Sequence, residues 1–420
     1  MNGFDEELTR QLRDRSQDVG GHPIGMDQVR RTARRIVWRR RIATGAVAAA
    51  VLAVAVPAGF AATGGVHNGI GPVSPPSPSV TNAKPSPSPT PSPSPTPAPS
   101  PSPNPSPTFP AGAIPLTTVG IPQGAAPKII YLQGDTLHDG DVTEQLLGSY
   151  IEISDYHGGW VAMDVQNGDY SLVQLDTSNR VVGSPQPSAA GIAVDGAGRT
   201  AWFVAGAPGQ PGQLVQGIGM AEGQATFDVP PGVTAHPIGY AGGKLVYDTD
   251  GVHPHVYLTD FTPGTAPTEI LGAIGAGGAS EAANAISVQT KSTDFGSCWA
   301  VVDSAGHERW QTCDYSLGQF SLDGKYVAAS GPYGDGIGSS SVAILKASDG
   351  TPVADFQRPQ DSDLFVNSVA WEDETHLLAT VYENGSWRIV RMDTSGHLEA
   401  ATPAVPGGDT HPPFFFSARP

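Results

Sequence analysis

The amino-acid sequence predicts an all-β domain carried on one membrane-spanning helix and an extended stalk. Three features lead to this prediction: a run of 21 uncharged residues, a tract of alternating prolines and serines, and short apolar segments that recur beyond residue 113. We divide the chain into a basic tail (1–41), a transmembrane helix (42–62), a Pro/Ser-rich linker (63–112) and an all-β domain (113–420).

The uncharged run extends from Ile42 to Ala62 and matches the roughly 20 residues that span a bilayer. Seven arginines lie between Arg30 and Arg41, whereas no Lys or Arg occurs between Ile42 and Lys84. The positive-inside rule therefore predicts a single-pass protein of the cell membrane, with its N-terminus in the cytoplasm and its large C-terminal domain extracytoplasmic. A cleaved signal peptide is the alternative, because the run ends in small residues, although a 41-residue polar lead is long for one.

The residues before the helix suit contact with lipid headgroups. The tail holds ten arginines against six acidic residues, a net charge of +4. Cations and an indole beside a membrane helix favour anionic headgroups and interfacial anchoring. We expect membrane lipid to contact the flank formed by Arg30, Arg31, Arg34, Arg35, Trp38, Arg39, Arg40 and Arg41.

The linker contains PSPSPTPSPSPTPAPSPSPNPSPT, which cannot form a core. We predict a disordered stalk that favours the extended polyproline II conformation. At about 3.1 Å per residue, some 40 such residues reach on the order of 100 Å. The linker is therefore expected to act as a spacer between the membrane and the domain.

The remaining chain is strongly acidic. After the tail and Lys84 are subtracted, 12 Lys and Arg residues face 34 Asp and Glu residues, a net charge of −22. Nucleic acid binding requires clustered cations to neutralise phosphates, so this domain is not expected to bind DNA or RNA.

The apolar segments predict the fold. Seven segments begin at Ile129, Val161, Trp202, Leu245, Ile286, Tyr326 and Leu377. The six distances between successive starts range from 32 to 51 residues, and four of them lie between 40 and 43 residues. About 40 residues is the length of a four-stranded propeller blade. The sequence therefore predicts a β-propeller with seven blades, and six remain possible.

Similar turn sequences recur at similar positions relative to the apolar segments. FSLDGKYVAAS, VDGAGRTAWFVAG and YAGGKLVYDT each place a Gly-containing turn before an apolar strand. LDTS, VDSAG, KASDG and MDTSG follow later in their units and predict hairpins between third and fourth strands. At these residues the chain resembles the WD40-like and TolB-like β-propellers of the membrane-anchored, extracytoplasmic bacterial type.

The only two cysteines, Cys298 and Cys313, fall in the domain placed outside the membrane, where disulfides persist. A hairpin turning at residues 304–306 places them opposite each other. We predict a cross-strand disulfide within one blade, and two free thiols are the alternative if the topology differs.

One polar cluster suggests a divalent metal. YDTDGVHPHVY contains Asp248, Asp250, His253 and His255, and two imidazoles with carboxylates can bind a transition metal. The alternative is an ordinary solvated loop, because Asp, Gly and Pro form turns. No cofactor is specified by the rest of the sequence.

Two classes of function fit these features. The first is a non-catalytic binding or scaffold module that holds a protein, peptide or glycan at the cell surface or wall. The second is an extracytoplasmic hydrolase or lyase with carboxylates on its loops. No G-x-S-x-G nucleophile motif, P-loop or H-E-x-x-H motif occurs.

Overall fold

The computed structural model describes residues 112–419, except for 141, 157, 167–168, 190, 219–223, 252, 294–295 and 333–337. The predicted transmembrane helix, nearly all of the linker and the arginine flank with Trp38 lie outside these residues. Within the described ranges, no helix is long and apolar enough to span a bilayer.

The described chain folds into short strands. The first fifteen are β1 (Ile114–Pro115), β2 (Tyr131–Gln133), β3 (Thr136–Asp139), β4 (Val142–Gln145), β5 (Tyr150–Tyr156), β6 (Gly159–Gln166), β7 (Asp169–Leu175), β8 (Val181–Pro187), β9 (Ala193–Val194), β10 (Arg199–Val204), β11 (Gly212–Ile218), β12 (Gln224–Val229), β13 (Ala235–Ala241), β14 (Lys244–Thr249) and β15 (Val256–Thr259). The remainder are β16 (Thr268–Ile270), β17 (Gly275–Ser280), β18 (Ala285–Thr293), β19 (Gly296–Val302), β20 (Glu308–Thr312), β21 (Ser316–Phe320), β22 (Tyr326–Ser330), β23 (Ser341–Lys346), β24 (Pro352–Gln357), β25 (Phe365–Trp371), β26 (His376–Glu383), β27 (Ser386–Asp393), β28 (Leu398–Ala400), β29 (Val405–Pro406) and β30 (Phe414–Phe416).

These strands form seven antiparallel sheets, each built around four strands. Blade 1 has the order β30-β2-β3-β4, so the C-terminal strand is its innermost member. Blades 2 to 7 begin at β5, β9, β13, β17, β21 and β25, and each runs outward through four consecutive strands. Blade 1 therefore joins the two ends of the domain and closes the ring.

Seven apolar clusters, one between each pair of neighbouring blades, confirm a closed seven-bladed propeller. Successive side chains of a strand point to opposite faces, so a strand that is buried on both sides supplies two clusters. In β26, for example, Leu377 and Ala379 pack toward blade 6, whereas Leu378 packs toward blade 1. The apolar segments recur about every 40 residues because each blade contains strands that are buried against both neighbouring blades.

Small residues let the innermost strands of blades 4, 5 and 6 approach one another. A Cβ atom on Gly278 would lie 2.6 Å from the carbonyl oxygen of Gly318, and one on Gly239 would lie 3.2 Å from the Cβ of Ala279. Larger side chains at Gly239 and Gly278 would push these strands apart.

Four turns share one construction, and they begin at Asp176, Asp195, Asp303 and Asp393. In each, the Asp backbone N–H donates to the carbonyl four residues later, at 2.9 to 3.2 Å. The Asp Oδ1 accepts the N–H groups two and four residues later. The residue three positions on has a positive φ and is Asn179 in the first turn and glycine in the others. These turns connect the first two or the last two strands of a blade, as the sequence predicted.

A strap, residues 113–128, precedes blade 1 and lies against blades 6 and 7. Its strand β1 pairs in parallel with the outer strand β24. Leu116 is fully buried in the cluster between these two blades, and Gln123 forms a parallel bridge to Ala400. The strap thus fixes the position at which the N-terminal part of the chain joins the ring.

Candidate functional site

The two ends of the ring differ. We call the end where the innermost strands begin, and where each blade connects to the next, the connection face. The opposite end carries the turns between first and second strands and between third and fourth strands, and we call it the turn face. Antiparallel order places the end of each second strand at the connection face.

The four residues of the predicted metal cluster lie near the connection face of blade 4, and three of them have separate partners. Asp248 is buried at the end of β14, and Asp250 accepts the N–H of Thr234 at 3.1 Å. His253 is exposed, and the Nδ1 atom of His255 lies 2.8 Å from the Oε1 atom of Glu269. Among the described residues, no group of three His, Cys, Asp or Glu side chains is placed to hold a metal ion.

Asp248 connects two blades. It is 4% exposed, and its Oδ2 atom accepts the N–H of Ala276, in the innermost strand of blade 5, at 3.1 Å. The Oδ1 atom is buried and has no hydrogen-bond partner. Burial, reinforced by the charge of Asp250, raises the pKa of Asp248 to about 8. The group therefore carries a proton at neutral pH.

Glu152, in the innermost strand of blade 2, also connects its blade to the next one. Its Oε1 atom accepts the N–H of Ile192 at 2.8 Å, and its Oε2 atom accepts that of Gly191 at 3.1 Å. Burial raises the pKa of Glu152 to about 7, while these two hydrogen bonds oppose the shift. The sequence does not single out Glu152, because a single acid within an alternating strand looks like a solvent-facing residue.

Exposed apolar side chains mark the same face. Leu147 is 77% exposed and Leu271 is 86% exposed. They lie in the connections from blade 1 to blade 2 and from blade 4 to blade 5. These are the two most exposed large apolar side chains among the described residues.

A cleft of about 410 Å³ lies at the rim of the ring between blades 3 and 4. Its walls are the outer strand β12 and the turn between β15 and β16, and its lining residues are Thr226, Phe227, Asp228, Phe261, Thr262, Pro263, Gly264, Thr265 and Ala266. Phe261 has a φ of +58°, a conformation that is strained for a bulky side chain. The sequence contains no pattern that would have predicted this cleft.

The predicted disulfide is present between Cys298 and Cys313, whose Cα atoms are 4.1 Å apart. It joins the start of β19 to the residue after β20, one step beyond the register pair Trp299 and Thr312. The hairpin thus places the two cysteines opposite each other, as expected from their spacing.

No protein-family model matches the amino-acid sequence, and neither does any curated protein. Solved structures with a similar fold are distant. An apocarotenoid oxygenase of Synechocystis is 13% identical, with 66% of this chain and 75% of that one covered and a TM-score of 0.42. Hsv2 of Kluyveromyces lactis is 9% identical, with 65% and 92% covered and a TM-score of 0.42.

Prolyl oligopeptidase B of Galerina marginata is 8% identical, with 67% of this chain covered and a TM-score of 0.46. This chain spans about half of that enzyme, 52% of its length. Similarities at these identities carry no information about function.

Proposed function

We propose that this chain is a membrane-anchored, extracytoplasmic β-propeller of the WD40-like or TolB-like type, which acts as a non-catalytic binding or scaffold module at the cell surface or wall. The observation that carries the proposal is the attachment of the strap on one side of the ring. Its ligand is a protein, peptide or glycan that contacts the connection face.

The direction of strand β1 shows from which side of the ring the strap starts. Strand β1 runs parallel to β24, which leads from the turn face toward the connection face. Strand β1 therefore starts on the side of the turn face, and Ile114 lies beside Gly396 in a turn of blade 7. A tether that joins there leaves the connection face and its exposed Leu147 and Leu271 available to a partner.

The two acids Asp248 and Glu152 on this face have structural partners. Both oxygens of Glu152 are occupied by N–H groups of blade 3, and one oxygen of Asp248 is occupied by an N–H of blade 5. Carboxyl groups used in this way hold blades together, which favours a rigid binding surface.

Photo-crosslinking in the native host tests this function. A crosslinking amino acid at Leu271 or Leu147 of the full chain should capture the same partner, because both sites lie on the connection face. Val182, 53% exposed on the outer strand of blade 2, is the matched control and should not capture it. Equal capture at all three positions, or none at the two leucines, would contradict the proposal.

A second candidate function, an extracytoplasmic hydrolase or lyase, draws on one observation. A carboxyl group that keeps its proton near pH 7, as Asp248 does, has the property of a general acid. The substitution Asp248→Asn separates the two functions when capture by the crosslinker at Leu271 is retained. Turnover of the captured ligand by the natural chain that is lost in the variant supports an enzyme, and no turnover by either protein supports the binding module.

A further inference from the structure

The outer strands of the seven blades differ in how their free edges are protected. An unprotected edge presents backbone donors and acceptors to another strand. Blade 6 is covered by β1, and β28 of blade 7 is bridged by Gln123. Strand β8 contains Pro185 and Pro187, which lack the N–H groups that a further strand needs.

The other outer strands are short or begin with charged residues, with one exception. Strands β4 and β16 have four and three residues, and β20 begins with Glu308 and Arg309. Strand β12 has six residues, contains no proline and pairs on one side with β11. It is the longest proline-free outer strand whose other edge no described strand covers.

The cleft between blades 3 and 4 lies along β12. Three consecutive residues of this strand, Thr226, Phe227 and Asp228, line it. Phe227 and Phe261 both pack on the apolar cluster between the blades, so the floor of the cleft is aromatic. Its volume falls in the range of ordinary ligand sites, roughly 300 to 1,000 Å³.

Strand addition already occurs in this molecule. Strand β1 extends the outer strand of blade 6, and the adjoining Leu116 inserts into the cluster beside it. A free strand edge next to an aromatic cleft offers the same combination to a segment from another protein: main-chain hydrogen bonds for affinity and a side-chain pocket for specificity.

The negative charge at the cleft favours a positively charged partner. Asp228 lines it, and Asp260 adjoins it, with hydrogen bonds from Thr262 holding the pKa of Asp260 below its usual range. None of the nine lining residues is Lys or Arg. The domain as a whole carries a net charge of −22, which attracts a cationic partner over long distances.

We propose that the free edge of β12 and the adjoining cleft bind an extended peptide segment of a partner protein, with an apolar side chain on Phe227 and Phe261 and a basic side chain near Asp228. This inference rests on the proposed function as a binding module, and it names a second surface and the class of partner for it.

A random twelve-residue peptide library displayed on phage, selected against the full chain, tests the inference. Enriched peptides should combine Lys or Arg with an aromatic or branched apolar residue and should protect the backbone amides of β12 from hydrogen exchange. Asp228→Lys reverses the charge at the cleft, and Ala266→Trp fills it, so each should weaken binding by about tenfold or more. Glu308→Lys makes the same charge change on the outer strand of blade 5 and should alter binding less than about twofold.

Peptides that bind the two cleft variants as tightly as the natural chain would overturn the inference. So would protection confined to another surface, or the absence of any peptide with a dissociation constant below about 1 mM. Crosslinking at Leu271 is independent of this outcome. If it still captures a partner, only the peptide site is wrong and the proposed function stands.

Discussion

Arg391 holds both carboxylate oxygens of Glu372. Its Nε atom lies 2.5 Å from Oε2, and its Nη2 atom lies 2.8 Å from Oε1. The two side chains are 7% and 0% exposed. Arg391 also donates to the carbonyl oxygens of Ala125 and Ala126 at 3.1 Å, so the pair fastens the strap to blade 7.

Removal of Arg391 should destabilise the domain strongly. In Arg391→Met, Glu372 would remain buried without its cation, which typically costs about 3–5 kcal/mol. Urea unfolding of the full chain measures the change. Lys128→Ala is the control, because Lys128 pairs with Asp373 while 66% exposed, and its loss should cost less than about 1 kcal/mol. Equal effects of the two substitutions would show that the buried pair does not secure the strap.

The Asp248→Asn variant should gain stability relative to the natural chain as pH rises. Folding raises the pKa of Asp248 from 3.8 to about 8, so the folded chain retains a proton that the unfolded chain has released. The contribution of this group to stability is therefore full below pH 4 and falls as pH rises toward 8, by up to about 1.4 kcal/mol per pH unit. Asparagine does not titrate, so the variant escapes this loss.

Thermal unfolding of both proteins at several pH values between 4 and 9 measures the effect. The free energy of unfolding of the variant minus that of the natural chain should increase as pH rises to about 8 and should then remain constant. His236, the cross-strand neighbour of Asp248, and Asp250 are unchanged in both proteins. A pH-independent difference would contradict the raised pKa.

The disulfide should stabilise blade 5. It closes a segment with a sequence separation of 15 residues, for which loop-closure entropy gives about 3 kcal/mol. The double substitution Cys298→Ser and Cys313→Ser should lower the free energy of unfolding by about that amount, as measured in denaturant without reductant. Adding reductant should reproduce the loss in the natural chain and leave the double variant unaffected. A reductant effect on the variant would point to another cause.

The turn at Asp195 allows a matched test of backbone strain. Gly198 has a φ of +79°, and neither it nor Gly196 has a neighbour that an added Cβ would touch. Gly198→Ala should therefore cost about 1–2 kcal/mol through its left-handed conformation alone. Gly196→Ala adds the same methyl group without a positive φ and should leave the melting temperature nearly unchanged. Similar losses in both variants would contradict this account of the turn.

Local patterns predicted the ring, whereas its surface features depend on contacts that are distant in sequence. The apolar segments from Ile129 to Leu377 each begin in or just before the second strand of a blade, because the repeat length is set by one four-stranded unit. The hairpin symmetry placed Cys298 opposite Cys313 correctly.

Other features depend on residues that only the ring brings together. Glu152 meets Gly191 and Ile192 about 40 residues away, so its own strand pattern could not reveal its partner. In the strap, the N–H of Thr118 donates to Glu383, which lies 265 residues later in the chain. The metal prediction grouped Asp248 with His253 and His255 by closeness in sequence, whereas the turn between β14 and β15 gives these side chains different neighbours.

The orientation of the domain outside the membrane is the central claim, and thiol labelling tests it most directly. The two natural cysteines are joined in the disulfide, so Leu271→Cys introduces a single reactive thiol on the connection face. A membrane-impermeant maleimide should label this variant on intact host cells, whereas Ser16→Cys in the predicted cytoplasmic tail should be labelled only after permeabilisation. Labelling of Leu271→Cys that requires permeabilisation would contradict the account.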